Sequence, residues 1–398
     1  MPASKGRSGP PRAWRADASP AIATPVCKPK LPNADRLLPY LREIDAARWY
    51  SNEGPLSRRF ERRLAEHAGA SSADEVVVVA NATAALTATL MALDAEPGTL
   101  CLMPAWTFAA SGHAVVQAGL RPWFVDVDPF DGALSPAAAA RFAANPPGRL
   151  GAVLVVSPFG RPVEVGEWEA FRRHTGVPVV LDAAAAFDVV RASAIPTVVS
   201  LHATKVLSTG EGAFVAWTDV VGVRAIRQRI NFGFTDSREA RAAAINGKHS
   251  EYAAAVGLAA LDEWPATRAA YARVAREYAS AFEGIARVRL QAGYGSEWVS
   301  ATTIVQVPPG RIARVENALA GASIGSRRWW GDGLARHEAF ADCLREQLPV
   351  TEALASTTLG LPCWPDLPAE TLARIAHVVA DACEGNRRGE PAPRSREP

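Results

Sequence analysis

The segment VVSLHATKVLSTGEGAFVAW, residues 198–217, contains two short apolar runs separated by a polar loop that carries Lys205. The runs at 197–200 and 213–217 are rich in apolar and β-branched residues and predict two β-strands, with the lysine in the loop between them. Lys205 is therefore either a surface charge beside a loop or a functional amine at the end of a buried strand.

Five similar runs precede this segment, and helical periodicity separates most of them. They cover residues 75–80, 99–103, 121–127, 151–156 and 177–182. This alternation predicts an α/β fold with a mostly parallel central sheet and helices on both faces. Because functional side chains in such sheets gather at the carboxyl ends of strands, the residues that follow each run are candidates for chemistry.

The sequence also predicts how the chain is divided. Residues 1–26 and 386–398 are polar and Pro-rich and are expected to be flexible tails, although the Arg content of the first leaves an organelle transit peptide open. Residues 27–266 are expected to form a large domain. A long helical pattern, broken near Pro265, then leads into a smaller α+β domain over 267–385.

The bulk composition points to a small-molecule partner. The 398 residues carry 43 basic and 41 acidic side chains, a net charge of +2, so neither nucleic acid nor a membrane surface is expected as a partner. No run is long enough to span a bilayer. The five cysteines are odd in number and form no CxxC pair, so we expect no disulfide framework, no metal site and a reducing, cytoplasmic compartment.

Asp182 and Lys205 follow two consecutive predicted strands. A buried carboxylate is costly unless it meets a cation or hydrogen-bond donors. Taken alone, Asp182 would be interpreted as the cap of a following alanine helix. A lysine amine forms a Schiff base when it is unprotonated, and burial beside a cationic cofactor lowers its pKa. Together the two residues predict a pyridoxal phosphate (PLP) site, in which Asp182 keeps the pyridine nitrogen protonated and Lys205 binds the aldehyde carbon.

The segment NATAALTATLMAL, residues 81–93, supplies a candidate phosphate site. It follows the first strand and begins a helix, so the backbone amides of Ala82 and Thr83 and the Thr83 hydroxyl would face an anion. An ordinary helix cap is the alternative. Trp106 and Phe108 follow the next strand; either could lie against a cofactor ring, and either could be core.

In chain order, NATAAL, PAWTFAASGHAVVQAGLRPWFVDVD, LDAAAAF, SLHATKVLSTGEGAF and INGKHSEYAAAVGL resemble the sugar aminotransferases of the DegT/DnrJ/EryC1/StrS family. The resemblance extends from about residue 31 to residue 384. It implies a PLP-dependent enzyme of fold type I that moves an amino group from glutamate or glutamine to a nucleotide-linked keto-sugar. The stretches RWYSNEGPL, SLHATK and INGKHSEY are most similar to the branch that aminates 4-keto-6-deoxyhexoses.

The resemblance implies roles for individual cofactor-binding residues. Lys205 matches the lysine that binds the cofactor covalently, and Asp182 matches the partner of the pyridine nitrogen. Phe108, rather than Trp106, matches the aromatic residue that stacks on the ring. The residues that match the phosphate-binding positions are Ala82, Thr83 and Ser200.

Other matches concern the partner subunit and the substrate. Asn246 matches an asparagine that reaches the phosphate of the neighbouring subunit's cofactor, so the resemblance implies a homodimer with shared sites. Asn52 and Gly54 match a loop that also approaches the partner's site. His202, near the lysine, is equally explained as a substrate contact or as a residue that bonds its own loop. The candidate substrate neighbours in SRRWWGDGLARHEAF are Arg328, Trp329 and His337.

Three departures from the family pattern bear on substrate choice. Ala185, expected beside the cofactor ring, stands where the family has Gln or His. Ser157 replaces a histidine, and a glycine pair has become Gly212-Ala213. Two alternatives stay open: a PLP enzyme acting on a cyclitol or other ketone or catalysing an elimination, and a PLP-binding regulatory protein without turnover. Lys205 argues against the family's dehydratases, which resemble this pattern but have histidine at that place.

Overall fold

The computed structural model of the protein describes residues 22–285 and 288–384. The helices of the first half are α1 (Ala34–Ala47), α2 (Pro55–Ala68), α3 (Ala82–Ala92), α4 (Ala109–Gln117), α5 (Pro136–Ala144) and α6 (Val165–Thr175). Those of the second half are α7 (Val220–Ile230), α8 (Glu251–Asp262), α9 (Trp264–Phe282), α10 (Ile312–Gly321), α11 (Pro349–Thr357) and α12 (Ala369–Glu384). No helix within the described ranges has the length and apolar character that crossing a membrane requires.

The strands form two separate sheets. They are β1 (Val76–Val79), β2 (Leu100–Pro104), β3 (Arg121–Val125), β4 (Leu150–Val156), β5 (Val179–Asp182), β6 (Thr197–Ser200), β7 (Ala213–Ala216), β8 (Arg289–Leu290), β9 (Thr303–Gln306), β10 (Leu344–Arg345) and β11 (Thr358–Leu361). The large sheet has the order β1-β7-β6-β5-β4-β2-β3-β10, and the small one has the order β11-β9-β8.

The large sheet is parallel except at β7, which runs antiparallel to both of its neighbours, β1 and β6. Its inner strands are buried on both faces because helices cover each side, as expected for a parallel sheet. One face packs against α3, α4 and α7, and the other against α2, α6 and α8; representative core residues are Leu86, Val115, Ile226, Phe60, Trp168 and Leu258. The predicted α/β architecture is confirmed.

The C-terminal part of the chain packs around the antiparallel sheet β8, β9 and β11. α10 and α12 cover this sheet through Leu319 and Ile375, which share a core with Val305. The break before it falls where Pro265 occupies the first turn of α9, a position at which its missing N–H removes no helical hydrogen bond.

Two segments cross the divisions that the sequence predicts. β10 lies within the range expected for the small domain but pairs in parallel with β3 at the edge of the large sheet. Residues 22–26, expected to belong to a flexible tail, are instead hydrogen-bonded to the C-terminal part: Thr24 N donates to Ser323 O at 3.1 Å, and Gly325 N donates to Thr24 O at 2.7 Å. Backbone pairing therefore anchors this segment, whose own composition carries no strand signal.

Candidate active site

The carboxyl ends of β4, β5 and β6 open into a cavity of about 680 Å³. The strand ends contribute Ser157, Asp182 and Ser200, and the loop after β6 contributes Lys205. The start of α3 and the segment after β2 form a second side, and Thr302, Arg327, Trp329 and Trp330 from the C-terminal part form a third. The cavity therefore joins the two parts of the chain.

Lys205 and Asp182 line this cavity together. β5 and β6 are parallel neighbours with Asp182 opposite Val198, so their loops emerge side by side. Lys205 N donates to His202 O at 2.9 Å, which fixes the turn that carries the lysine. Lys205 is partly buried, and burial lowers the pKa of its amine while the charge of Asp182 opposes that shift. Lys205 is therefore not a surface lysine.

Hydrogen bonds hold the Asp182 carboxylate beneath the cavity. Ser111 Oγ donates to Asp182 Oδ2 at 2.7 Å, Ala184 N donates to Oδ1 at 3.2 Å, and Thr107 Oγ1 lies 2.8 Å from Ser111 Oγ. Burial raises the pKa of Asp182, whereas these hydrogen bonds and the charge of Lys205 oppose the rise. A turn follows Asp182 rather than a helix, so the alternative of a helix cap is wrong.

The start of α3 provides unpaired backbone donors. Asn81 Oδ1 caps the helix by accepting from Ala84 N at 2.9 Å, whereas the N–H groups of Ala82 and Thr83 have no partner within the described ranges. Both residues line the cavity, as does the buried Ser200. Free N–H groups, a nearby hydroxyl and the positive end of the helix dipole suit an anionic group here.

The structure distinguishes the two aromatic candidates. Phe108 precedes α4, lines the cavity and is 58% exposed, so its ring is open to a ligand. Trp106 is 3% exposed and packs edge-on to Trp330 at 5.2 Å, with Phe159 beside it. Trp106 is therefore core, and only Phe108 is available for stacking.

The remaining candidates near the lysine also line the cavity. His202 Nδ1 lies 2.9 Å from Thr204 Oγ1, and its Nε2 lies 3.6 Å from Glu211 Oε1, so it bonds its own loop and still faces the cavity. Ala185 is partly buried at the cavity wall. Ser157 is buried and its hydroxyl donates to Arg161 O. Both side chains are smaller than those that the resemblance implies at these positions.

Five predicted site residues do not line the cavity of Lys205: Asn52, Gly54, Asn246, Arg328 and His337. Asn52 lines a separate surface pocket with Lys248, and Lys248 Nζ donates to Asn246 Oδ1 at 2.8 Å. His337 is exposed after a short turn of helix, and Gly54 is buried at the start of α2.

The position of Gly54 has a structural explanation. A Cβ atom at Gly54 would lie 2.6 Å from Glu251 Cδ. The buried Glu251 carboxylate accepts from Leu56 N and Ser57 N, each at 2.8 Å, and so caps α2 from α8. The absence of a side chain at Gly54 leaves room for this carboxylate, which explains the glycine at this position.

Three functional candidates are absent from the sequence prediction. Ser111 contacts Asp182 from α4, Glu211 contacts His202, and Arg327 lines the cavity from the C-terminal part. The one signal in the sequence is that Thr107 and Ser111, two hydroxyl residues four positions apart, stand in an otherwise apolar segment. Within the described ranges, no cluster of His, Cys, Asp or Glu could hold a metal ion.

Comparisons with known proteins agree with this geometry. The family model described as the DegT/DnrJ/EryC1/StrS aminotransferase family matches residues 33–380. The chain is 29% identical over 374 residues to Protein Mb3436c of Mycobacterium bovis, covering 90% of each chain. It is 32% identical over 245 residues to the dTDP-4-amino-4,6-dideoxy-D-glucose transaminase of Escherichia coli, covering 60% of this chain and 64% of that protein. The solved structure of DesI with its TDP-sugar product superposes with a TM-score of 0.81 at 29% identity, covering 92% of this chain and 94% of that one.

Proposed function

The chain belongs to the DegT/DnrJ/EryC1/StrS aminotransferase family, and on that premise we propose that it transfers an amino group from glutamate or glutamine to a nucleotide-linked keto-deoxysugar. It is a PLP-dependent aminotransferase of fold type I, and its relatives include enzymes that act on dTDP-linked and UDP-linked sugars. The observation that carries the proposal is the convergence of Lys205, Asp182 and the start of α3 on one cavity.

The residues of the cavity fit the cofactor. The unpaired N–H groups of Ala82 and Thr83, with Ser200, would hold its phosphate. The exposed ring of Phe108 would lie against the cofactor ring, and Asp182 would face the ring nitrogen. The Ala185 side chain has no polar atom to offer the ring, so this chain would rely on the other residues of the cavity to orient it.

Each of these residues has a chemical task. Bound PLP supplies an aldehyde that takes up the amino group and a ring that withdraws electrons from the breaking bond. Asp182, held by Ser111, keeps a negative charge where the protonated ring nitrogen would sit. Lys205 has a lowered pKa, so its neutral amine can take the proton from the α-carbon of the amino donor. The same amine returns a proton when the keto-sugar is aminated.

The wall of the cavity would exclude water during these proton transfers. Phe159 and Trp330 stack with ring centroids 4.0 Å apart at an angle of 18°, and both line the cavity. This wall joins the end of β4 to the C-terminal part of the chain. An apolar wall in the cavity that Lys205 lines would also favour the neutral amine over the ammonium.

We further propose that two copies of the chain form a homodimer with shared sites. Asn52 and Asn246 lie outside the cavity of their own subunit, which fits the proposed contact with the partner's site. The surface around them exposes large aromatic side chains: Trp49 is 45%, Tyr50 48%, Phe232 46% and Tyr252 50% exposed. Such a patch is typical of a protein interface.

The test of the proposed function begins with the cofactor. Purified protein should show PLP absorbance, and borohydride should attach the cofactor covalently to the peptide that contains Lys205, as read by mass spectrometry. Lys205→Ala should abolish that attachment, whereas Lys30→Ala, a change at a surface ion pair with Asp366, should retain it.

Turnover then separates an aminotransferase from a protein that only binds PLP. Glutamate or glutamine should bleach the absorbance of the wild-type protein. One of a panel of nucleotide-linked amino sugars should bleach it as well, by giving up its amino group in the reverse half-reaction. Absorbance that persists with every amino donor would contradict the proposal and favour a regulatory protein.

A further inference from the structure

One cationic side chain of the cavity, that of Arg327, has no acidic partner among the described residues. Asp182 and Lys205 interact with each other, and His202 Nε2 lies 3.6 Å from Glu211 Oε1. Arg327 lines the same cavity. Within residues 22–285 and 288–384, no carboxylate lies within ion-pair distance of its guanidinium, whose one described side-chain contact is an aromatic ring.

That contact holds the guanidinium in place. Arg327 Cζ lies 4.9 Å from the centroid of the Trp329 ring. The Arg327 backbone is pinned to β11 by two hydrogen bonds, from Arg327 N to Gly360 O at 3.1 Å and from Gly360 N to Arg327 O at 2.8 Å. A Cβ atom at Gly360 would lie 2.2 Å from Trp329 Nε1, so the indole fills the space that glycine leaves. The contact with Trp329 and the backbone pairing with Gly360 therefore restrict the position of Arg327.

The neighbouring arginine is held differently. Arg328 Nε donates to Glu316 Oε1 at 2.9 Å on α10, and Arg328 does not line the cavity. From the sequence, Arg328 is a candidate substrate neighbour, together with Trp329 and His337. The structure transfers that place to Arg327, because only Arg327 is both at the cavity and free of a carboxylate among the described residues.

The indole ring accepts no N–H hydrogen bond in the plane of the guanidinium, and no hydrogen bond from the Arg327 guanidinium to another described residue is present, so its N–H donors are available to a ligand. These donors match two oxygen atoms of a carboxylate or a phosphate. We propose that Arg327 is a substrate-binding residue that receives an anionic oxygen group of the substrate. This inference rests on the proposed function, because both proposed substrates carry such a group: the amino donor has a carboxylate, and the nucleotide-linked sugar has a diphosphate.

The cofactor phosphate is not the group that Arg327 would bind. The free N–H groups are at the start of α3, a helix that packs against the large sheet, whereas Arg327 comes from the C-terminal part of the chain. The two anion-binding features therefore stand on different structural elements. In an aminotransferase the donor and the acceptor use the cavity in turn, so one arginine can serve the donor, the acceptor or both.

The experiment compares PLP-loaded wild type with Arg327→Gln and Arg327→Lys. Arg289→Gln is the matched control, because Arg289 is exposed in the same C-terminal sheet and lies outside the cavity. One arm measures the concentration of glutamate or glutamine that half-saturates bleaching of the cofactor absorbance. The other arm measures binding of dTDP and of UDP by calorimetry, which requires no turnover.

Arg327→Gln should weaken at least one arm by about 10-fold to 100-fold, the effect of losing a charge-assisted hydrogen bond. Cofactor absorbance and the melting temperature should be unchanged. The affinities of Arg327→Lys should lie between those of the wild type and Arg327→Gln. Lysine keeps the positive charge but lacks the paired N–H donors of a guanidinium. Loss in the donor arm identifies a carboxylate, and loss in the nucleotide arm identifies a phosphate.

Two results would overturn the inference: wild-type affinities in both arms of Arg327→Gln, or no binding of any probe to the wild-type protein. Failure of the proposed function looks different. In that case no donor bleaches the cofactor, yet the nucleotide arm still reports whether Arg327 binds phosphate.

Discussion

The hydrogen bond from Ser111 to Asp182 gives a quantitative prediction. Ser111 is fully buried, and its Oγ lies 2.7 Å from Asp182 Oδ2. In Ser111→Ala the carboxylate, which is 5% exposed, loses this donor. A hydrogen bond to a charged group contributes about 1.5–3 kcal/mol, and one pKa unit corresponds to about 1.4 kcal/mol. The pKa of Asp182, already raised by burial, should therefore rise by about one to two further units.

The direction of the effect on PLP affinity follows from the charge of Asp182, because the protonated ring nitrogen requires a negative partner. A protonated Asp182 no longer attracts the protonated ring nitrogen, so PLP affinity is lost as the pH falls through the pKa of this residue. Because Ser111→Ala raises that pKa, the acid limb of PLP affinity should move to higher pH by about the same one to two units. At alkaline pH, where the carboxyl is ionised in both proteins, the two affinities should converge.

The assay is a pH titration of the PLP dissociation constant followed by cofactor absorbance. Ser57→Ala is the matched control, because Ser57 is 2% exposed and its hydroxyl has no hydrogen-bond partner in the described part of the chain. The control should overlay the wild-type profile. If the acid limb of Ser111→Ala also overlays it, Asp182 does not govern the binding of the ring, and the reasoning is refuted.

Three further predictions concern the interface and stability. Mixing the Lys205→Ala and Asn246→Ala proteins should restore activity to roughly a quarter of wild type, because half of the dimers are mixed and each has one complete site; no gain on mixing argues against shared sites. Gly54→Ala should lower the free energy of unfolding by about 1–3 kcal/mol through its clash with the capping carboxylate, as measured in urea. Gly166→Ala, which meets open space, should not lower it. Burial lowers the pKa of His249 to about 4, so the unfolded chain binds a proton at higher pH than the folded chain. Stability should fall by about 3 kcal/mol from about pH 6.5 to pH 4, and His249→Leu should remove this contribution; an unchanged pH profile would exclude it.

The sequence by itself determined the central sheet and the order of the residues at its edge. All seven runs predicted as strands up to residue 217 overlap β1 to β7, because strand formation there depends on local runs of apolar and β-branched residues. Asp182 and Lys205 stood out for a related reason. A residue that directly follows a strand of a parallel sheet must lie at the carboxyl edge, whichever way the rest of the chain packs.

Only the tertiary structure decided which distant residues meet. Ser111 contacts Asp182 across 71 positions, residues 24 and 26 pair with the C-terminal part, and β10 joins the large sheet although its two residues carry no strand pattern. The choice of Arg327 over Arg328 is of the same kind. Neighbouring residues on an extended segment point to opposite sides. Both residues are arginines, so only their surroundings distinguish them: Arg327 meets an indole ring and the cavity, and Arg328 meets Glu316. Periodicity predicts which face of an element is apolar, whereas such contacts depend on the packing of elements that are far apart in sequence.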